Sequence, residues 1–205
     1  LMKDLPRARE LIRAVVNAVE VPVTVKMRKG WDDSSTNYLE LCRIAEAEGV
    51  KAITLHPRTR EQFFSGRADW KAIREAKAAV SIPVIGNGDI FEAGDALEMI
   101  RLTGCDAVMI GRGGMGNPFL FAATAAALDG EELPPTPTLA QRIQIALRHF
   151  DLMQELKGDE RTISEMRKHL SWYIKGIPGA AQARNRINQA NTREEISAIL
   201  MSLLD

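Results

Sequence analysis

Pro83-Val84-Ile85-Gly86-Asn87-Gly88-Asp89 is an apolar run that breaks at its carboxyl end into an Asn-Gly turn. Val23-Thr24-Val25-Lys26 and Ala52-Ile53-Thr54-Leu55-His56 precede it, and Ala107-Val108-Met109-Ile110-Gly111-Arg112-Gly113 follows. Lys26, His56, Asn87 and Gly111 fall about a βα unit apart, with helix-patterned sequence between each pair, as in a parallel sheet or barrel. In such folds chemistry collects where strands end, because those ends open onto loops that need not pack a core. An ammonium, an imidazole, an Asn-Gly turn and a Gly-Arg-Gly turn are therefore expected around one rim.

Helical segments are expected at Arg7–Val19, Tyr38–Glu48, Trp70–Val80 and Glu92–Thr103. The first puts Leu11, Ile12, Val15, Val16 and Val19 on one face, yet no strand precedes it, and only four of a barrel's eight strands are visible. Asp32-Asp33-Ser34-Ser35-Thr36 offers caps for the second helix, and Gly49 a residue to end it. The polar loop from Pro57 to Arg67 carries three arginines and two phenylalanines, too much for a simple connection, and is a candidate substrate loop.

Leu133-Pro134-Pro135-Thr136-Pro137-Thr138 is incompatible with regular structure, so a domain boundary is expected between 133 and 134. Residues 134–205 read as a bundle of about four helices, with starts marked by Thr138/Gln141, Thr162/Glu165 and Thr192/Glu195. Lys175-Gly176-Ile177-Pro178-Gly179 is expected to turn between its third and fourth segments.

With 205 residues, 45% hydrophobic and 26% charged, the chain can bury one good core and a small second domain. A formal net charge of +0 means that any RNA contact must come from a local basic patch. Arg161, Arg167, Lys168, Lys175, Arg184, Arg186 and Arg193 form one candidate, which also reads as an ordinary mixed-charge surface. Cys42 and Cys105 lack CxxC spacing, so neither a metal site nor a disulfide framework is expected, and a reducing cytoplasm is the natural location. No apolar stretch approaches the ~18 residues of a membrane span.

The two glycine turns carry the most mechanism. Asn87-Gly88-Asp89 and Gly111-Arg112-Gly113-Gly114 present backbone N–H donors and a guanidinium in successive units, which suits a phosphate, and a short helix is expected from Pro118. Lys26 is either an edge lysine or a cation for developing negative charge. His56 is either structural or functional, whereas His149 and His169 read as structural.

Val25-Lys26-Met27-Arg28-Lys29-Gly30-Trp31-Asp32, Leu55-His56-Pro57-Arg58-Thr59-Arg60, Gly86-Asn87-Gly88-Asp89-Ile90 and Met109-Ile110-Gly111-Arg112-Gly113 with Gly116-Asn117-Pro118 resemble the tRNA-dihydrouridine synthases. So does the tail Arg167-Lys168-His169-Leu170-Ser171-Trp172-Tyr173-Ile174-Lys175-Gly176, and the whole is similar to the bacterial B-type branch. The resemblance implies an FMN-binding TIM barrel, of which residues 1–133 would be the C-terminal half, followed by a helical tRNA-binding domain. It implies NADPH as reductant, a hydride passed from the flavin to C6 of a uracil, and a cysteine acid that protonates C5. Carried over by motif, Lys26, His56, Asn87, Gly88, Asp89, Gly111 and Arg112 would hold the cofactor. Arg58, Arg60, Arg167, Lys168, Lys175, Arg184 and Arg186 would face tRNA. The family's Asn-x-Gly-Cys-Pro loop has no counterpart, so no catalytic residue is assigned, and this chain alone is expected to be inactive unless a missing half or second chain completes it. The alternatives are a non-catalytic flavin- or RNA-binding remnant and a flavin barrel acting on a free pyrimidine, such as dihydroorotate dehydrogenase. The helical tail argues against the second.

Overall fold

Four short strands, β1 (Thr24–Arg28), β2 (Ala52–His56), β3 (Val84–Asn87) and β4 (Ala107–Met109), pair in sequence order in a computed structural model that describes residues 1–204. Every pairing is parallel, with Arg28 opposite His56 and Asn87 opposite Met109. The register therefore sets the polar strand ends level with one another. Between them run α2 (Tyr38–Ala47), α3 (Trp70–Ala79) and α4 (Ala93–Thr103), and α1 (Leu5–Ala18) precedes β1. Strand residues Ile53, Leu55 and Val84 are fully buried with Ile73 and Ala76 of α3 and Ala96 and Met99 of α4. These small and branched side chains let each helix lie close on the sheet.

Two expectations for this part need correction. The residues 32–36 do not cap α2: Asn37 sits at its start without a side-chain bond, while Asp32 accepts from the hydroxyls of Ser34 and Ser35. The α1 face is also split. Ile12 and Val16 pack on the core, but Leu11, Val15 and Val19 remain 47%, 43% and 44% exposed. Leu11 and Val15 join Val23, Val25 and Met27 around a cleft of about 590 Å³ beside β1.

The rest of the chain forms α5 (Phe119–Asp129), α6 (Leu139–Lys157), α7 (Asp159–Tyr173), α8 (Ala180–Gln189) and α9 (Arg193–Met201). Residues Leu1–Gly113 and Ala127–Glu131 make one compact unit; Gly114–Ala126 and the residues from Glu132 onward make another. Most of α5 is thus grouped with the later helices, where the sequence put the division at 133/134. Thr138 with Gln141 and Thr192 with Glu195 form reciprocal capping boxes. Thr162 does not. The helix has already begun at Asp159, Thr162 is buried inside it, and Glu165 pairs with Lys157 and Arg161. The Lys175–Gly179 turn joins α7 to α8, the second and third of the four helices after the proline-rich segment. Phe150, Met166, Leu170, Ile187 and Ile196 form this unit's core. No helix among the described residues is long and apolar enough to cross a membrane.

Among the described residues β1 is paired along one edge and lies beside the apolar cleft, so main-chain donors and aliphatic surface are both left available. The isolated chain should accordingly self-associate. Sedimentation velocity should show species heavier than 22.7 kDa whose share grows with concentration; a monodisperse monomer with a cooperative melt is the contrary result.

Candidate functional site

The Asn87-Gly88-Asp89 turn is held from several sides. Asn87 donates Nδ2–H to the Met109 carbonyl at 2.7 Å, and its own carbonyl faces His56 Nδ1 at 3.2 Å. Trp70 Nε1–H donates to the Gly88 carbonyl at 3.0 Å. Gly88 has φ +129°, and a Cβ there would meet both His56 and Ala68 at 3.1 Å. Any other residue would be strained on that backbone and would push His56 or Ala68 back by a few tenths of an ångström. Asp89 itself is left-handed, φ 57°. Beyond β4, Gly111 has open space where a Cβ would stand, and Arg112–Gly114 coil into a single 3₁₀ turn.

Asp89 organises the arginines. Arg58 donates Nη1–H and Nη2–H to its carboxylate at 2.8 and 2.6 Å, and reaches the Ser65 and Gly66 carbonyls as well. Arg58 is 2% exposed. Its guanidinium closes the 57–69 loop onto the β3 turn, so the expectation that it faces RNA is corrected: a buried group already engaged by a carboxylate and two carbonyls has no surface for a phosphate. The Ala68 N–H and Arg112 Nη2 also reach Asp89, at 2.8 and 3.0 Å. Burial alone would push the Asp89 carboxyl up; the Arg58 and Ala68 hydrogen bonds and the charges of Arg58 and Arg112 outweigh it and hold it below the ordinary range. Both of its carboxylate oxygens are thus engaged by groups of the protein, so Asp89 positions Arg58 and Arg112. Arg112 lies over Phe64 at 4.2 Å and over Phe91 at 5.6 Å, partly exposed and fixed in direction. Arg60 is exposed and lies over Trp31.

His56 is 6% exposed, and its Nε2 has no hydrogen-bond partner among the described residues. Burial is the main reason that its imidazole is pushed down to about 4, with the charges of Arg28, Lys26 and Arg58 adding to it against the Asn87 hydrogen bond. A neutral ring bonded to a carbonyl must carry its proton on Nδ1. Nε2 is then a lone-pair acceptor in want of a donor. Lys26 projects from β1 with its ammonium lowered by desolvation and by Arg28. Two contributors were missed by sequence reasoning. Trp70 read only as a helix start, and Arg28 donates to the Thr59 and Phe63 carbonyls, steadying the same loop.

In the helical unit the basic residues part company. Arg161 pairs with Glu165 and Arg193 with Asp151. Arg167 donates to the Ala190 carbonyl at 3.0 Å and ties α7 to the end of α8, a structural use that the sequence did not signal. Lys168, Lys175, Arg184 and Arg186 form no ion pair among the described residues, and all but the half-buried Arg184 are exposed. Tyr173 is buried with its hydroxyl 3.3 Å from His149 Nδ1. Both cysteines are buried, and burial pushes the Cys42 thiol up to about 12.

The chain belongs to the family described as Dihydrouridine synthase (Dus), whose model matches residues 1–204. It is 44% identical over 198 residues to a probable tRNA-dihydrouridine synthase of Mycobacterium leprae, covering 95% of this chain and 52% of that one. It is 40% identical over 209 residues to one from Rickettsia conorii, with 100% and 63% covered, and 42% identical over 207 residues to one from Rhizobium leguminosarum, again with 100% and 63%. The chain thus spans about half to just under two thirds of the curated relatives it matches.

Arg58→Met would leave Asp89 facing a neutral stem. A fully buried pair broken on one side costs about 3–5 kcal/mol; Asp89 is 22% exposed, so about 2–3 kcal/mol is expected, read as a lower urea midpoint. His56 gives a pH signature. Its folded pKa is depressed, so between the ordinary value of 6.5 and about 4 the unfolded chain takes up a proton that the folded chain refuses. Stability should fall as pH drops through that window and level off below it, by at most about 3 kcal/mol. Unfolding at several pH values should show this slope, and His56→Gln should remove it.

Proposed function

We propose that this chain supplies the cofactor-phosphate cradle and a tRNA-holding helical unit of a tRNA-dihydrouridine synthase, which reduces uridine in tRNA to 5,6-dihydrouridine with FMN and NADPH. The observation that carries this is the convergence of the Gly88 turn, the open Gly111 turn and the clamped Arg112 guanidinium at adjacent parallel strand ends. The family is generally flavin-dependent. The residues present suit such a group: Gly111 leaves room, Arg112 offers charge-assisted donors for a phosphate, and the unpartnered His56 Nε2 accepts from an N–H or O–H of the ligand. When bound and reduced, FMN supplies the hydride that a uracil C6 accepts.

The chain's own residues bind and orient. Arg112 and the glycine-turn N–H groups would hold the phosphate, and Lys26 would offer a cation to negative charge on the bound cofactor. Arg60, Lys168, Lys175, Arg184 and Arg186 approach RNA phosphates. We assign the four strands to the C-terminal half of a TIM barrel that closes through further strands. The C5 proton donor is assigned outside these residues, because Cys42 and Cys105 are both buried, and the Cys42 thiol, pushed up to about 12, gives up its proton poorly at neutral pH. That same burial favours a second reading, a flavin- or RNA-binding protein without reductase activity.

Removing a charge-assisted hydrogen bond to phosphate costs about 1.5–3 kcal/mol, so Arg112→Ala in a barrel-complete protein should weaken FMN binding roughly ten- to a hundredfold in a fluorescence titration. Unchanged affinity would remove Arg112 from the cradle. For the RNA side, tRNA binding should fall steeply with salt, and reversing Lys175 and Arg184 to Glu should shallow the log–log slope by about 0.7–0.9 for each phosphate that is no longer neutralised. Dihydrouridine formation by the completed protein separates the two readings.

A further inference from the structure

Gly116 has φ +69°, and a Cβ on it would come within 2.4 Å of the Trp172 carbonyl carbon. This close approach lays Met115 and Asn117 against the end of α7. Arg142 completes the arrangement by donating to the Tyr173 carbonyl and, at 3.2 Å, to that of Lys175, so the last turn of the helix is held in place. The result is a groove of about 360 Å³ walled by Met115, Asn117, Thr136, Arg142, Trp172 and Lys175. A volume near the lower end of small-ligand sites admits one nucleotide-sized group and not two.

The lining is chemically uniform in one respect. It holds an indole, an amide, a hydroxyl, a thioether and two cations, and no carboxylate. Lys175 is exposed and outside every ion pair among the described residues. Lys168 Nζ lies 5.3 Å from the Trp172 ring and His169 meets it edge-on at 5.1 Å, so the indole is braced by its own helix. A held aromatic ring beside unpaired ammonium groups is how proteins take single-stranded nucleic acid: the ring stacks a base and the cation meets the adjoining phosphate.

We propose that this groove is a nucleotide subsite for unpaired RNA, with a base stacked on Trp172 and its phosphate at Lys175. The inference rests on the reading of the helical unit as RNA-binding and adds to it a stacking contact, where that reading needs only backbone charge. Asn117 and Thr136 supply donors and acceptors for the base edge. Arg142 positions the rim and is not counted as a phosphate contact, because its Nη2 is engaged by carbonyls.

The test uses the full chain and two short single-stranded probes, hexauridylate and hexaadenylate, followed by fluorescence anisotropy. Trp172→Leu should weaken both by about fivefold to a hundredfold, the range expected when a base–aromatic stack is removed, while Trp172→Phe keeps most of the affinity. Lys175→Gln should reduce the salt slope by about 0.7. Ultraviolet crosslinking of hexauridylate containing 4-thiouridine to the unaltered chain should label the peptide bearing Trp172, and this readout does not depend on any variant folding. Heparin serves as a polyanion without bases. If heparin matches the oligonucleotides and Trp172→Leu changes neither, or if the crosslink maps elsewhere, the subsite is overturned. Salt-dependent tRNA binding that survives Trp172→Leu would overturn the subsite and leave the wider reading standing; oligonucleotide binding at Trp172 with no binding of tRNA would do the reverse.

Discussion

The bidentate contact of Arg58 with Asp89 is the constraint on which the candidate site depends. It joins a loop of the β2 end to the turn of the β3 end, and Asp89 passes the constraint on to Arg112 from the β4 end. Three successive strand ends are tied through one carboxylate. The charges do not cancel: two guanidinium groups against one carboxylate leave a surplus of one positive charge. Because Arg58 is buried, that surplus is presented by Arg112, which Phe64 and Phe91 keep from swinging away. A buried ion pair is seldom the cheapest way to stabilise a core, since desolvation offsets much of its attraction. Here it fixes direction. A lysine at 58 would keep the charge and lose the fork that binds carboxylate and carbonyls together.

The same arrangement explains what was legible in the sequence. Strand ends are marked by where apolar runs stop, so the order of Lys26, His56, Asn87 and Gly111 along the sheet is legible from spacing alone and parallel pairing in chain order agrees, but β1 runs on to Arg28, which stands opposite His56 while Lys26 stands opposite Thr54. Partners were not legible, because a side chain's partner depends on the route of a loop. Arg58 and Arg60 differ by two positions and read alike, yet one is buried against Asp89 and the other is exposed against Trp31. Thr162 shows the opposite fault. It has the spacing of a capping box, but a helix that starts at Asp159 makes the motif an accident of composition. At Thr138 and Thr192, where the threonine itself is extended, the same spacing makes real caps.

Glycine does different work at the two places where its backbone matters most. At Gly88 the missing side chain admits His56 and Ala68 against the turn, so that the imidazole is buried close to the main chain and stays neutral. At Gly116 it admits the main chain of α7, bringing loop and helix into a contact that any side chain would block. One turn tunes an acceptor and the other shapes a groove.

A division of labour follows from where the reactive groups are not. Cys42 is enclosed between α2 and β1, with its sulfur against that of Met27, and Cys105 is enclosed before β4. Burial raises the cost of a thiolate, so these thiols pack as small apolar groups. The strand ends in turn offer cations, turn glycines and a neutral imidazole, groups that hold anions and accept hydrogen bonds, and at neutral pH none of them is a proton donor comparable to a solvent-facing thiol beside a base. On the function proposed above, these residues bind and orient, and their burial and charge leave proton delivery to other groups.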